Sequence, residues 1–196
     1  SKTALLPFLG HRFKETILPA LYPEVCCDEN LVTLFYQKFL CHYASQQSSL
    51  FSGVDDFLRN IQQRCDCALA LATNKSRSLL LRELDQHNLA SLFDCIVCGD
   101  DPCHGGRTKP QPDMLNTVQS NFPSACSYYM IGDSPADILA AKTTRQPTFS
   151  VAVLNDSCPQ TSAQIHDTQP DKILQRAELS DYLHSILQAH GSLTDA

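Results

Sequence analysis

Two carboxylates, a lysine and a threonine carry the chemistry this chain could do. In Gly132-Asp133-Ser134-x-x-Asp137 two acids stand four residues apart, directly after the apolar run Tyr128 to Ile131. That run predicts a short buried strand. Gly132 breaks it, so Asp133 falls at its carboxyl end. Ser134, Pro135 and Asp137 read as a helix start, with a capping hydroxyl, a proline at the first helical position and an acid at the third. In open α/β sheets, ligands bind beyond the carboxyl ends of the strands. Two carboxylates about 4 Å apart there would repel by roughly 4 kcal/mol at an effective dielectric of 20. A hard divalent cation relieves that repulsion, and Mg²⁺ uses one or two carboxylates plus substrate phosphate. Ser134-x-x-Asp137 also reads as a capping box. That second reading accounts for Asp137 and leaves Asp133 unexplained.

Two more features fall at strand ends on the same side. Thr73-Asn74-Lys75-Ser76 lies between a predicted strand and its helix. A hydroxyl and backbone N–H groups at a helix start form an anion site, and the plain alternative is that Thr73 or Asn74 is an N-cap. Lys109 precedes Pro110, which favours an extended backbone. Such a lysine can reach a phosphate as a point charge. The alternative is a solvated surface lysine. A loop lysine is expected to bury little, so removing it is expected to cost little stability.

The elements that must position these groups follow from periodicity. Residues 1 to about 50 read as helical: a piece from Arg12 to Leu21, then a helix capped by Asp28-Glu-Asn30. Ser45 to Ser49 reads as a linker. From Ser52 the pattern changes. Val54, Phe57, Leu58 and Ile61 form a helix face, Cys67 to Thr73 a buried strand, and Lys75 to Asn88 a helix with Leu79, Leu80 and Leu84 inward. Strands over Phe93 to Cys98, Tyr128 to Ile131 and Thr148 to Leu154 follow, with Asp171 to Leu174 a fifth. Helices over 112–121, 134–144 and 178–189 separate or close them. Strands alternating with helices predict parallel βαβ units and an α/β fold with a covered sheet.

Composition narrows the class. Of 196 residues 43% are hydrophobic, enough for one sizeable core. The net charge is −6 and basic residues form no long run, which argues against nucleic acid and an anionic membrane surface. No apolar stretch approaches 18 residues, so no membrane span is expected. Ten Cys, several within apolar runs, are read as mostly buried, reduced thiols, and the expected location is the cytoplasm. Cys95-x-x-Cys98 with Cys103-His104 lacks zinc-ribbon spacing. On a strand, Cys95 and Cys98 would also face opposite ways.

Taken in order, Thr73-Asn74-Lys75, Lys109-Pro110-x-Pro112-Asp113 and Gly132-Asp133-Ser134-x-x-Asp137 resemble motifs two, three and four of the haloacid dehalogenase (HAD) superfamily. The nearest likeness is to phosphoglycolate-phosphatase-like members with a helical cap. Leu9-Gly10 and the helices after it resemble the cap, and Phe51-Ser-Gly-Val54 the re-entry into the core. Phe93-Asp94-x-Ile96-Val97-x-Gly99-Asp100-Asp101 resembles the segment before the lysine. The resemblance implies a Rossmann-like parallel core over residues 51–196 and a partial helical cap over 1–50. It implies a Mg²⁺-dependent phosphatase of a small phosphate ester acting through a phosphoaspartyl intermediate. Thr73 and Asn74 would bind the phosphoryl group, and Lys109 would neutralise it. Asp133 would ligate Mg²⁺, and Asp137 would ligate or support it. In the cap, Arg12 is the candidate for a substrate carboxylate, with an ordinary surface helix residue the alternative.

Two departures stand out. Thr144-Arg145 replaces the usual Ala-Gly after the fourth motif. The family's nucleophile lies in D-x-D on the first strand, yet no two Asp here are separated by one residue. The chain starts at Ser1 within the cap-like region, so a truncated phosphatase is expected. The alternatives are a non-catalytic binder of phosphate, Mg²⁺ or a protein, and a fold whose function has decayed. The absent strand would sit between Cys67–Thr73 and Tyr128–Ile131, so an unclosed slot is expected there.

Overall fold

The computed structural model describes residues 16–44, 49–64, 67–154 and 159–191. The first part is helical: α1 (Leu18–Leu21), a 3₁₀ turn (Pro23–Cys27) and α2 (Glu29–Ala44). Asp28 caps α2, accepting the Asn30 and Leu31 N–H groups at 2.8 and 3.3 Å. The Tyr22 ring rests 5.7 Å from that of Phe35 on α2.

The α/β part begins at Gly53, whose φ of 77° starts α3 (Val54–Gln62). Then come β1 (Ala70–Thr73), α4 (Arg77–Gln86), β2 (Cys95–Cys98), α5 (Asp113–Asn121), β3 (Tyr128–Gly132), α6 (Pro135–Lys142), β4 (Thr148–Leu154), α7 (Pro159–Asp167), β5 (Lys172–Gln175) and α8 (Leu179–Gly191). The predicted order holds. α7 is an addition: its polar composition hid one inward Ile165, which is 1% exposed. The glycine stop missing after α6 is made up by Thr144, whose hydroxyl lies 2.8 Å from the Ala141 carbonyl.

All strand pairs are parallel, as predicted, but the sheet is in two parts. One has the order β1-β2, the other β3-β4-β5. Ala70 pairs with Cys95 and Thr73 with Cys98; Gly132 pairs with Ala152, and Ala152 with Ile173. Among the described residues no ladder joins β1 to β3, in line with the expected slot. Alternate residues of the strands feed opposite faces. On one face Val151 and Val153 pack with Phe57 and Ile61 of α3 and Leu179 and Leu183 of α8. On the other, Ala152 and Leu154 pack with Ile138 and Ile165. Two clusters span the slot: Leu69 and Ile131 share the first, and Ala72 and Met130 both pack with Leu115, Ala140 and Ala141. Each fully buried Leu or Ile contributes roughly 1.5–3 kcal/mol. Side-chain packing therefore holds the two halves together without backbone pairing.

The expectation of mostly buried thiols is corrected. Of the eight described Cys, all free, Cys98 alone is buried, while Cys26, Cys27, Cys41, Cys103 and Cys126 are exposed. These five sit in helices and loops off the strands. Cys98 packs with Leu80 and Leu84 of α4, and burial pushes its thiol up to about 11. Asn121 of α5 donates to Cys95 Sγ at 3.6 Å, so the two thiols do face opposite ways. Among the described residues no group of three or more His, Cys, Asp or Glu is arranged to hold a metal. No described helix is long and apolar enough to cross a membrane.

Candidate functional site

Thr73 ends β1, Gly132 ends β3, and Lys109 lies in the loop between β2 and α5, all at the carboxyl side of the sheets. Three residues lock the lysine. Its Nζ donates to the Ala72 carbonyl at 2.7 Å and lies 2.6 Å from Asp137 Oδ1. Its backbone is gripped by one side chain: Asn74 Nδ2 donates to the Lys109 carbonyl at 2.9 Å, and the Lys109 N–H donates to Asn74 Oδ1 at 3.0 Å. Lys109 therefore bridges the slot, from β1 to the helix after β3. Only 9% of its side chain is exposed, against 8% for Asp137. The solvated-lysine expectation is corrected, because the slot gives the side chain a buried path.

The two carboxylates differ. Asp137 completes a capping box: its Oδ2 accepts the Ser134 N–H at 3.1 Å and the Ser134 hydroxyl at 2.8 Å. With Lys109 on Oδ1, both of its oxygens are occupied. Asp133 presents an exposed surface at the rim, yet protein crowds it from behind. That crowding, with the charge of Asp137 added, holds its carboxyl above the usual range, and Lys109 and Arg176 only partly offset it. Thr73 Oγ1 accepts the Lys75 N–H at 3.3 Å, in an ST-turn ahead of α4.

Several residues to which the sequence reading gave no contact of their own support the site. Gly99 and Gly132 are sites of close approach. A Cβ on Gly99 would overlap the Asn74 carbonyl, and one on Gly132 would overlap the Asp137 carboxylate. Asp100 and Asp101 fix the start of α4. Asp100 accepts the Arg77 N–H at 2.8 Å; Asp101 takes the Arg77 guanidinium at 2.6 and 2.8 Å and the Cys98 N–H at 2.7 Å. The guanidinium holds the Asp101 carboxyl below its usual range. The signal for these residues was the Gly-Asp-Asp directly after β2. Arg176 follows β5, and Phe51 precedes Gly53. The Arg176 guanidinium stacks on the Phe51 ring at 4.0 Å. Arg12 lies outside the described residues.

The arrangement thus holds one cation, one committed carboxylate and one crowded carboxylate at the end of a split parallel sheet. Comparisons with known proteins bear on it. The sequence model of the haloacid dehalogenase-like hydrolase family matches residues 2–151. A phosphoglycolate phosphatase of Vibrio cholerae serotype O1 is 34% identical over 138 residues, covering 69% of this chain and 58% of that protein. One of Aliivibrio fischeri is 33% identical over 130 residues, covering 65% and 53%. The chain spans about half the length of such curated relatives. A haloacid dehalogenase-like hydrolase from Streptococcus pneumoniae superposes with a TM-score of 0.69 at 19% identity, covering 93% of this chain and 81% of that one. A HAD family hydrolase from Deinococcus radiodurans R1, solved with bound phosphate and sodium, gives 0.63 at 20% identity, covering 91% and 77%. At those identities the structural likeness speaks for the fold alone.

Proposed function

This chain belongs to the haloacid dehalogenase-like hydrolase family, and from that premise we propose that it holds the phosphate and the metal of a phosphatase acting on a small ester such as phosphoglycolate. One observation carries the reading. An ammonium has three N–H donors; Asp137 and Ala72 take two from Lys109, and the third is left for an anion. The Thr73 hydroxyl accepts from Lys75 and keeps its own proton to donate. Asn74 grips the Lys109 backbone with its side chain and so positions the lysine.

The residues fit a hard cation. Asp133 carries a charge that crowding and Asp137 make costly, and a divalent ion would compensate it. Asp133 is the group to ligate it, and Asp137, bound to Ser134 and Lys109, supports from behind. When bound, Mg²⁺ supplies Lewis acidity toward a phosphoryl oxygen. Lys109 and Thr73 then hold and neutralise the phosphoryl group while Asp137 fixes the ammonium.

The acceptor carboxylate of a covalent mechanism has no candidate in these 196 residues, because D-x-D is missing. A strand bearing it would pair between β1 and β3, beside Lys109. That same absence favours a second reading, a non-catalytic binder of phosphate and Mg²⁺. Calorimetric titration with inorganic phosphate tests the shared part of both. Binding strengthened by Mg²⁺ and weakened by Thr73→Ala is expected, and no heat above the dilution control, with or without Mg²⁺, would refute it.

A further inference from the structure

Arg176 is a cation the proposed chemistry has not used. It starts the 3₁₀ turn Arg176–Glu178 directly after β5, on the side of the sheet where Asp133 follows β3. In register Gly132 pairs with Ala152 and Ala152 with Ile173, so β3 and β5 flank β4 about 9.6 Å apart. An arginine leaving β5 can turn back across that width.

Its surroundings are those of a poised arm rather than a structural ion pair. The guanidinium carbon lies over the Phe51 ring, 4.0 Å from its centroid, which limits its orientations. Phe51 in turn sits just before Gly53, where a Cβ would run into Ser180 of α8, so the aromatic is tied to the same corner of the core. Glu178 is engaged elsewhere, accepting the Gln175 N–H at 2.7 Å. Among the described residues no carboxylate pairs with Arg176 and no acceptor takes its edge donors. Arg77 and Arg107, by contrast, are both paired, with Asp101 and Asp113. A planar guanidinium held over an aromatic ring, with unpaired N–H donors among the described residues, matches a carboxylate in a bidentate pair.

We propose that Arg176 binds the second anionic group of the substrate, a carboxylate close to the phosphate ester, and so selects short phospho-acids over neutral phosphate esters. This rests on the phosphate site proposed above. The test compares 2-phosphoglycolate with methyl phosphate by calorimetry on the 196-residue chain with Mg²⁺. The unaltered chain should prefer 2-phosphoglycolate by about tenfold. Arg176→Gln should bring the two esters to similar affinity, and Arg176→Lys should keep part of the preference. Circular dichroism melts of both variants report whether the fold is kept, and the lysine variant carries the test if the glutamine variant does not fold. No preference in the unaltered chain, or a preference that survives Arg176→Gln, overturns the assignment while the phosphate site stands. Failure of both esters to bind overturns the phosphate site and the role of Arg176 with it.

Discussion

Lys109 Nζ and Asp137 Oδ1 form an ion pair at 2.6 Å with both side chains less than a tenth exposed. It joins the loop before α5 to the start of α6, between strands that no backbone ladder links among the described residues. Removing one partner of a buried pair typically costs 3–5 kcal/mol, because a charge is left uncompensated. Ser134 still serves Asp137 from its other oxygen, so the lower end applies here. Lys109→Met should therefore destabilise the chain by about 3 kcal/mol and lower Tm by roughly 6–12 °C. With Asp137→Asn added, the double variant should lose clearly less than the sum of the singles. Urea titrations check both, and a loss under about 1 kcal/mol for Lys109→Met would return the lysine to the solvated surface.

Asp133 gives a pH dependence of definite sign. Its carboxyl is held above its ordinary value, so the folded state binds its proton more readily than the unfolded state does. Its stabilising share is full below the ordinary carboxylate value and is lost as pH rises through the elevated one. At neutral pH the ionised group is a net cost. Asp133→Asn should raise Tm at pH 7 by no more than a few degrees, since solvent reaches the carboxylate, and the gain should vanish below pH 4. Mg²⁺ should stabilise the unaltered chain and leave Asp133→Asn unmoved. Asp137→Asn should lower stability through Ser134 and Lys109 while keeping some Mg²⁺ response. Melts across pH with and without Mg²⁺ decide, and equal Mg²⁺ responses in the two variants would reverse the roles given to the two acids.

Gly99 should tolerate no side chain. A methyl there meets the Asn74 backbone rather than a flexible chain end, so something fixed must move. Gly99→Ala should cost about 1–3 kcal/mol. It should also loosen the Asn74 grip on Lys109, so phosphate affinity falls more than the stability loss alone explains. Phosphate titration at a temperature where the variant is fully folded separates the two effects. Unchanged affinity there would mean that the Asn74 grip is incidental.

The βαβ order was legible because the strands are short apolar runs and the helices repeat at the helical period, as with Leu80 and Leu84 of α4. That Asp133, Asp137, Lys109 and Thr73 gather at the carboxyl side of the strands was legible, because that is where an α/β sheet gathers polar groups from separate loops. Burial was not legible. The slot that shelters Lys109 exists only when two distant strands are set apart, and no local pattern encodes that. Cysteine burial failed for a related reason: an apolar neighbourhood in sequence does not set the phase of a side chain. Asp137 had two readings in sequence, and its capping box is present. Asn74 was read as an anion group through its amide, and the role of its side chain toward a residue 35 positions away was not foreseen. Arg176 carried no motif at all. Its position emerges only from the register of β3, β4 and β5.

The central claim is that these residues hold a phosphate ester and a cation but have no acceptor carboxylate to turn it over. Phosphorus NMR of 2-phosphoglycolate with the purified chain and Mg²⁺ reads both halves at once. A Mg²⁺-dependent shift or broadening of the ester resonance is expected, with no growth of inorganic phosphate over a day. An unperturbed ester line would contradict the binding half. Inorganic phosphate accumulating with the chain, and absent from an identically purified Asp133→Asn control, would contradict the other.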